Sequence, residues 1–354
     1  MSPNRPSPLS RRDFLHDTAL LAGAVIGGGA ALAAETPAVN DDRLPRRVLG
    51  RTNLDVTCLT LGSAPCGIAP AVSVQEVARI VNLAIDEGIN FIDTAPKYVK
   101  AEEGVGLALG PRRKEIYLAT KVWCDTIPDA EKSLANSFKT LKTDYVDVLY
   151  FHQLGSRELK SARTAEGVFT WLLAQKKAGK CRFVGISGHN LPGRFPQFLD
   201  SGEVDVLLTV VNYVDRHTYQ FEEHVLPLAQ KHQVGIVAMK VYGGPDPKTG
   251  SWNEPTAKPL IGEDQLQLAV RYTLSTPGVV TANIGVHTVE QLKQNIQLVK
   301  RFQPLNAEER QLLVQRGQEL AAKWGPHFGP VQEENQVGVS DRLGRRAEWD
   351  VEHG

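Results

Sequence analysis

"VQEVARIVNLAIDEGINFIDTA", residues 74 to 95, changes period part-way through. From Val74 to Gly88 the apolar residues recur at spacings of three and four, which predicts an amphipathic helix ending at the glycine. "NFIDTA" (90 to 95) then reads as a short strand that closes on a carboxylate, Asp93. The same exchange recurs along the chain. Strand-like runs are "VTCLTLG" (56 to 62), "NFIDTA", "IYLATKV" (116 to 122), "VDVLYFH" (146 to 152), "CRFVGIS" (181 to 187), "VDVLLTVVN" (204 to 212), "VGIVAMKV" (234 to 241) and "VVTANIG" (279 to 285). Helical patterns such as "FEEHVLPLAQKHQ" (221 to 233) lie between them.

Eight strands alternating with helices imply right-handed crossovers and parallel pairing, and roughly 250 residues of such units match an α/β fold of the (β/α)8 TIM-barrel type. A doubly wound open sheet is the alternative, and it wants G-x-G-x-x-G directly after its first strand. "TLGSAPCG" does not supply that pattern. "GVGLALG" (104 to 110) sits in a helical stretch, where glycine is expected to serve packing. A last helix is expected over roughly 306 to 323, followed by a polar tail from 329 to 354. The single barrel is thus expected over 47 to 328.

Forty basic and forty acidic residues cancel, with no long run of one sign, so the charge footprint of a nucleic-acid binder is missing. Cys58, Cys66, Cys124 and Cys181 lie far apart without metal-ligand spacing. They are expected to be buried or incidental thiols, and no metal is expected.

The start of the chain reads differently. "SRRDFLH" (10 to 16) pairs Arg11 with Arg12 ahead of a weakly apolar run, Thr18 to Ala34, that is too short to span a bilayer. Ala31, Leu32 and Ala33 form a small-x-small site. This order predicts a twin-arginine signal over residues 1 to 33, cleavage after Ala33, a linker from 34 to 46, and no stable membrane anchor. The expected partner is the twin-arginine export machinery. The expected location is periplasmic or otherwise exported.

In a barrel of this type the chemistry sits at the C-terminal ends of the strands. Asp93, Lys121 and His152 close the second, third and fourth strands, and Tyr98 follows in the loop after Asp93. Singly each has an ordinary explanation as a cap, a snorkelling cation or a packed ring. Together they suit carbonyl reduction. Tyrosine holds a proton at neutral pH, an adjacent ammonium favours its phenolate, a carboxylate anchors the ammonium, and a histidine can hydrogen-bond the carbonyl oxygen or relay the proton.

At these residues the sequence resembles the aldo-keto reductase superfamily, through "GINFIDTAPKYVKAEEGVG", "IYLATKVW", "TDYVDVLYFHQL", "FVGISGHN" and "VEQLKQNI". The likeness runs from about Arg47 to Phe302 and includes "RVLGRTNLDVTCLTLGS", which is similar to the family's floor hairpin and first strand. The resemblance implies a metal-free NADP-dependent enzyme, NAD being the second choice, with Asp93, Tyr98, Lys121 and His152 as catalytic tetrad and Tyr98 as general acid. Glu102 falls at the glutamate of the family's Y-g-x-a/s-E pattern, although "YVKAE" lacks the usual glycine after the tyrosine.

For the cofactor, the resemblance implies roles for Ser187, Met239, Lys240, Gly285, His287, Gln291 and Asn295. Departures are also visible. Gly188 and Leu208 replace the usual carboxamide-holding asparagine and glutamine, Met239 replaces a stacking tyrosine, and His287 stands where a fixed cation is common. Trp123 is expected to line the substrate pocket or pack in the core, and the long segment 242 to 260 is expected to form a flap. The function these residues imply is an exported reductase of an aldehyde, ketone or sugar carbonyl. A non-catalytic nucleotide-binding or sensory barrel is the alternative, and a two-lobed solute binder does not fit the eightfold alternation.

Overall fold

The computed structural model describes residues 43–333; the expected signal peptide and most of the polar tail lie outside them. Strands β1 (Arg46–Val48) and β2 (Asp55–Thr57) form an antiparallel hairpin. Eight further strands close a parallel barrel: β3 (Leu59–Gly62), β4 (Phe91–Asp93), β5 (Tyr117–Val122), β6 (Val146–Phe151), β7 (Cys181–Gly188), β8 (Val206–Val210), β9 (Gly235–Met239) and β10 (Val279–Gly285). They pair in chain order, and β10 returns to β3.

The local reasons match the sequence pattern. Ser73 caps the helix Val74–Asp86 by accepting from the Glu76 amide, and that helix buries Val77, Ile80, Val81 and Ala84 on one face. Gly88 then turns the chain at φ +87°, a conformation glycine adopts at little cost. Along the strands, alternate residues face the two layers of the core. Phe91, Ala119, Val148, Tyr150, Val237 and Met239 pack inside the barrel, whereas Ile92, Leu118, Leu149 and Ile236 pack under the helices. Leu49, Leu54 and Val56 of the hairpin join the inner group and seal the barrel floor.

Four details differ from the sequence reading. "VTCLTLG" is two elements, because Val56 and Thr57 pair in the hairpin and only Leu59–Gly62 enter the barrel. "FEEHVLPLAQKHQ" is also split, into Phe221–His224 and Leu226–Lys231, with Pro227 in the first turn of the second helix. The first residues of the expected tail are bonded to the barrel: the Gly329 carbonyl accepts from the Tyr219 hydroxyl at 3.2 Å, and the Pro330 carbonyl accepts from the Leu191 amide at 3.3 Å. The fold likewise starts before residue 47, since Leu44 is buried.

The last long helix, Ala307–Trp324, begins with a capping box between Asn306 and Glu309. At the barrel floor, Asp147 accepts from Arg113, Arg182 and the Leu118 amide, each within 2.9 Å. Asp205 accepts from Lys176, Arg51 and the Val184 amide at 2.5, 3.3 and 3.0 Å. These carboxylates are satisfied at the floor, far from the catalytic end. The four cysteines are free thiols, three of them buried, and burial raises Cys58 to about 11 and Cys66 and Cys181 to about 12.

Candidate active site

The parity of the strands gathers the four polar residues. Phe91 points inward, so Asp93 does as well; Ala119 brings Lys121, and Val148 and Tyr150 bring His152. All reach the C-terminal end of the barrel on adjacent strands. Lys121 donates to Asp93 Oδ1 at 2.6 Å and to the Thr94 carbonyl at 2.9 Å. Its ammonium lies 4.9 Å from the Tyr98 ring centroid, and the Tyr98 and His152 rings stand edge to face at 6.2 Å and 87°.

Burial sets the protonation states. Asp93, Tyr98, Lys121 and His152 are all buried. Desolvation, reinforced by the Asp93 charge, holds the Tyr98 hydroxyl well above the usual tyrosine range, so the free site keeps the phenol protonated. Desolvation lowers Lys121, and the adjacent Asp93 carboxylate opposes that shift and favours the ammonium. His152 is held well below the usual histidine range by burial and then by Lys121, leaving a neutral imidazole near pH 7. The free site thus holds a protonated phenol at Tyr98 and a neutral imidazole at His152.

Two residues support the cluster, and the first, Asn283, was not singled out in the sequence. Asn283 donates from Nδ2 to Asp93 Oδ2 at 3.0 Å, so both carboxylate oxygens are held. Its signal was a lone amide in the otherwise apolar run of β10. Gly62 makes room for it, since a Cβ there would stand 2.6 Å from Asn283 Oδ1. Glu102 is also buried and accepts from Thr120 at 2.6 Å, on the strand face opposite Lys121. It props β5 from behind and does not enter the catalytic cluster.

A cavity of about 440 Å³ extends from Tyr98 and Asp93 across the ends of β8, β9 and β10. Met239, Lys240, Gly285, His287, Gln291 and Asn295 line it. Ser187 does not: its hydroxyl accepts from the Gln153 amide at 3.2 Å, which fixes the loop after His152. His189 lines the cavity instead and is locked to Gln153 through its ring and its backbone amide at 2.9 and 3.2 Å. The expected flap packs over the far end. The Trp252 carbonyl contacts His287 Nε2 at 2.9 Å, the Pro255 carbonyl contacts Gln291 at 3.5 Å, and Tyr242 donates to Asn295 at 2.8 Å. Lys240 sits 3.8 Å from the centroid of the Trp252 ring.

A nicotinamide dinucleotide fits these walls. Met239 offers a polarizable face, and the Lys240 ammonium matches an anionic pyrophosphate. Trp123 is not among the lining residues of this cavity; it lies on the other side of the catalytic cluster, half-buried between Lys97 and Arg157.

Residues 59–248, more than half of the chain, match the family model described as Aldo/keto reductase family. The chain belongs to the aldo/keto reductase family. As a member it is an oxidoreductase. It is 27% identical over 304 residues to an L-galactose dehydrogenase of Arabidopsis thaliana, covering 76% of this chain and 92% of that protein. It is 28% identical to the uncharacterized oxidoreductase YqkF of Bacillus subtilis, covering 71% and 90% of the two chains. Among solved structures, the holo form of an aldo-keto reductase from Bacillus halodurans superposes with a TM-score of 0.62 at 25% identity, covering 78% of this chain and 96% of that one. Among the described residues, no cluster of His, Cys, Asp or Glu could hold a metal ion, and no helix is long and apolar enough to cross a membrane.

Proposed function

We propose that this oxidoreductase reduces an aldehyde or ketone, including sugar carbonyls, to the alcohol with NADPH. The observation that carries the reading is the buried Asp93–Lys121 pair beside Tyr98 and His152, at the end of a cavity with room for a dinucleotide. When bound, the cofactor supplies hydride to the carbonyl carbon. The remaining work belongs to the chain. His152 donates a hydrogen bond to the carbonyl oxygen, and Tyr98 gives its proton to that oxygen as alkoxide character develops. Lys121 stabilises the phenolate left behind, and Asp93, itself held by Asn283, keeps the ammonium in place.

Lys240 and Asn295 hold the phosphate-bearing half of the cofactor, and Met239 covers the nicotinamide. Burial lowers the pKa of His287, which contacts a flap carbonyl, so it provides no fixed cation for a 2′-phosphate and NAD is accepted as well. Purified protein that oxidises NADPH or NADH in the presence of an aldehyde panel supports this reading; absence of any aldehyde-dependent change in nicotinamide absorbance would sink it.

We also propose that the enzyme is exported by the twin-arginine route, on the sequence of Arg11, Arg12 and the apolar run that follows. That route carries folded proteins, so a cofactor bound in the cytoplasm travels with the barrel. Fractionation of cells expressing the full chain tests it: replacing both arginines with lysine should retain the protein in the cytoplasm, and unchanged export would refute the route.

A further inference from the structure

The nucleotide-sized cavity approaches Tyr98 from the side of β8 to β10, so a substrate must extend the other way, toward the ends of β5 and β6. That side carries two cations on one indole. Lys97 Nζ lies 3.7 Å and Arg157 Cζ 4.7 Å from the centroid of the Trp123 ring. Lys97 precedes the proton donor Tyr98 directly, and Trp123 stands two residues past Lys121.

The arrangement is held firmly. Trp123 Nε1 donates to Ser156 Oγ at 3.1 Å, which donates to the Gln153 carbonyl at 3.2 Å, one residue after His152. Arg194 clamps the same loop by donating to the carbonyls of Leu154, Gly155 and Arg157 at 2.8, 3.2 and 3.1 Å. Asp125 braces Arg157 at 3.2 Å, and its other oxygen accepts from the Glu158 amide. The charges acting most strongly on buried His152 are all positive: Lys121, Arg157, Lys97 and Lys240. Arg157 is fixed in advance by these contacts, with its side chain 8% exposed, and Lys97 reaches the indole from the exposed rim; a cation already ordered recognises an anion at little further cost.

We infer that the substrate is a carbonyl compound bearing a carboxylate, which Lys97 and Arg157 receive beside Trp123 while Tyr98 and His152 engage the carbonyl oxygen. This rests on the proposed reductase reading and adds the class of substrate to it. With two cations over its ring, Trp123 serves as a platform for charge in place of the apolar wall its residue type suggests.

Equilibrium binding of product-like alcohols tests this without turnover. Calorimetry on the full chain with saturating NADPH, or NADH if only that binds, compares para-(hydroxymethyl)benzoate with para-methylbenzyl alcohol. The carboxylated alcohol should bind on the order of tenfold tighter, with the advantage shrinking as salt is raised. Lys97→Gln should bring the ratio toward one, Lys97→Arg should keep most of it, and the exposed, remote Lys114→Gln should leave it alone. A wild-type ratio of one or less, or an advantage that survives both Lys97→Gln and Arg157→Gln, overturns the inference. Failure of the reductase reading shows separately, as no nicotinamide-linked turnover of either parent aldehyde.

Discussion

Lys240 follows β9 directly with its backbone in the left-handed region at φ +57°, an uncommon conformation for a non-glycine residue. Its carbonyl is held by Asn212 and by the Gly243 amide, which fixes the turn and sends the ammonium into the cavity. Burial lowers its pKa from 10.5 to about 7, with Asp215 opposing the shift. The ammonium that a pyrophosphate needs is therefore present below about pH 7 and lost as pH rises through that value. We expect kcat/KM for the cofactor, which reports groups of the free enzyme, to fall above about pH 7. Lys240→Gln should flatten that limb and lower cofactor affinity by on the order of tenfold. An unchanged pH profile in the variant would remove Lys240 from the cofactor site. The sequence placed this residue next to Met239 but did not show its charge state, which depends on burial in the folded site and on Asp215.

The elements were legible to different degrees. Period-two parity in "NFIDTA", "IYLATKV" and "VDVLYFH" was enough to aim Asp93, Lys121 and His152 at one end of the barrel. The split of "VTCLTLG" was not legible, because a continuous β-branched run gives no sign of the bend at Cys58 between floor and barrel. Asn283 was missed for a related reason: its value lies in a partner 190 positions away.

The glycines of "GVGLALG" were read as packing residues, and the helix Ala101–Leu109 supplies the reason. A Cβ on Gly104 would meet Val77 at 2.4 Å, and one on Gly106 would meet the Thr140 carbonyl at 2.2 Å. The Thr140 oxygen belongs to helix backbone and cannot step aside as a side chain can. Gly106→Ala should therefore destabilise the fold by about 1–3 kcal/mol in chemical denaturation despite alanine's better helix propensity. Equal or greater stability would contradict the close helix packing.

For the molecule as a whole, the barrel supplies a rigid end on which three sets of groups meet. The tetrad stands at the centre, the groove from Met239 to Asn295 lies on one side, and Lys97, Trp123 and Arg157 lie on the other. The C-terminal segment packs behind one lining residue, since His327 contacts Asp215 at 2.8 Å and the buried Phe328 ring lies 5.7 Å from that of His189. No short motif announces that docking, because the segment is polar and aperiodic and its contacts are long-range.

The assignment of Tyr98 as proton donor joins fold, electrostatics and function, and one comparison addresses it directly. Aldehyde-dependent oxidation of the reduced cofactor is measured for the wild type and for Tyr98→Phe, alongside cofactor binding by fluorescence titration. Removing the hydroxyl should lower kcat by roughly 10²–10⁴-fold, the usual worth of a positioned general acid, while cofactor affinity stays within about twofold. Retention of wild-type kcat by Tyr98→Phe would contradict the account.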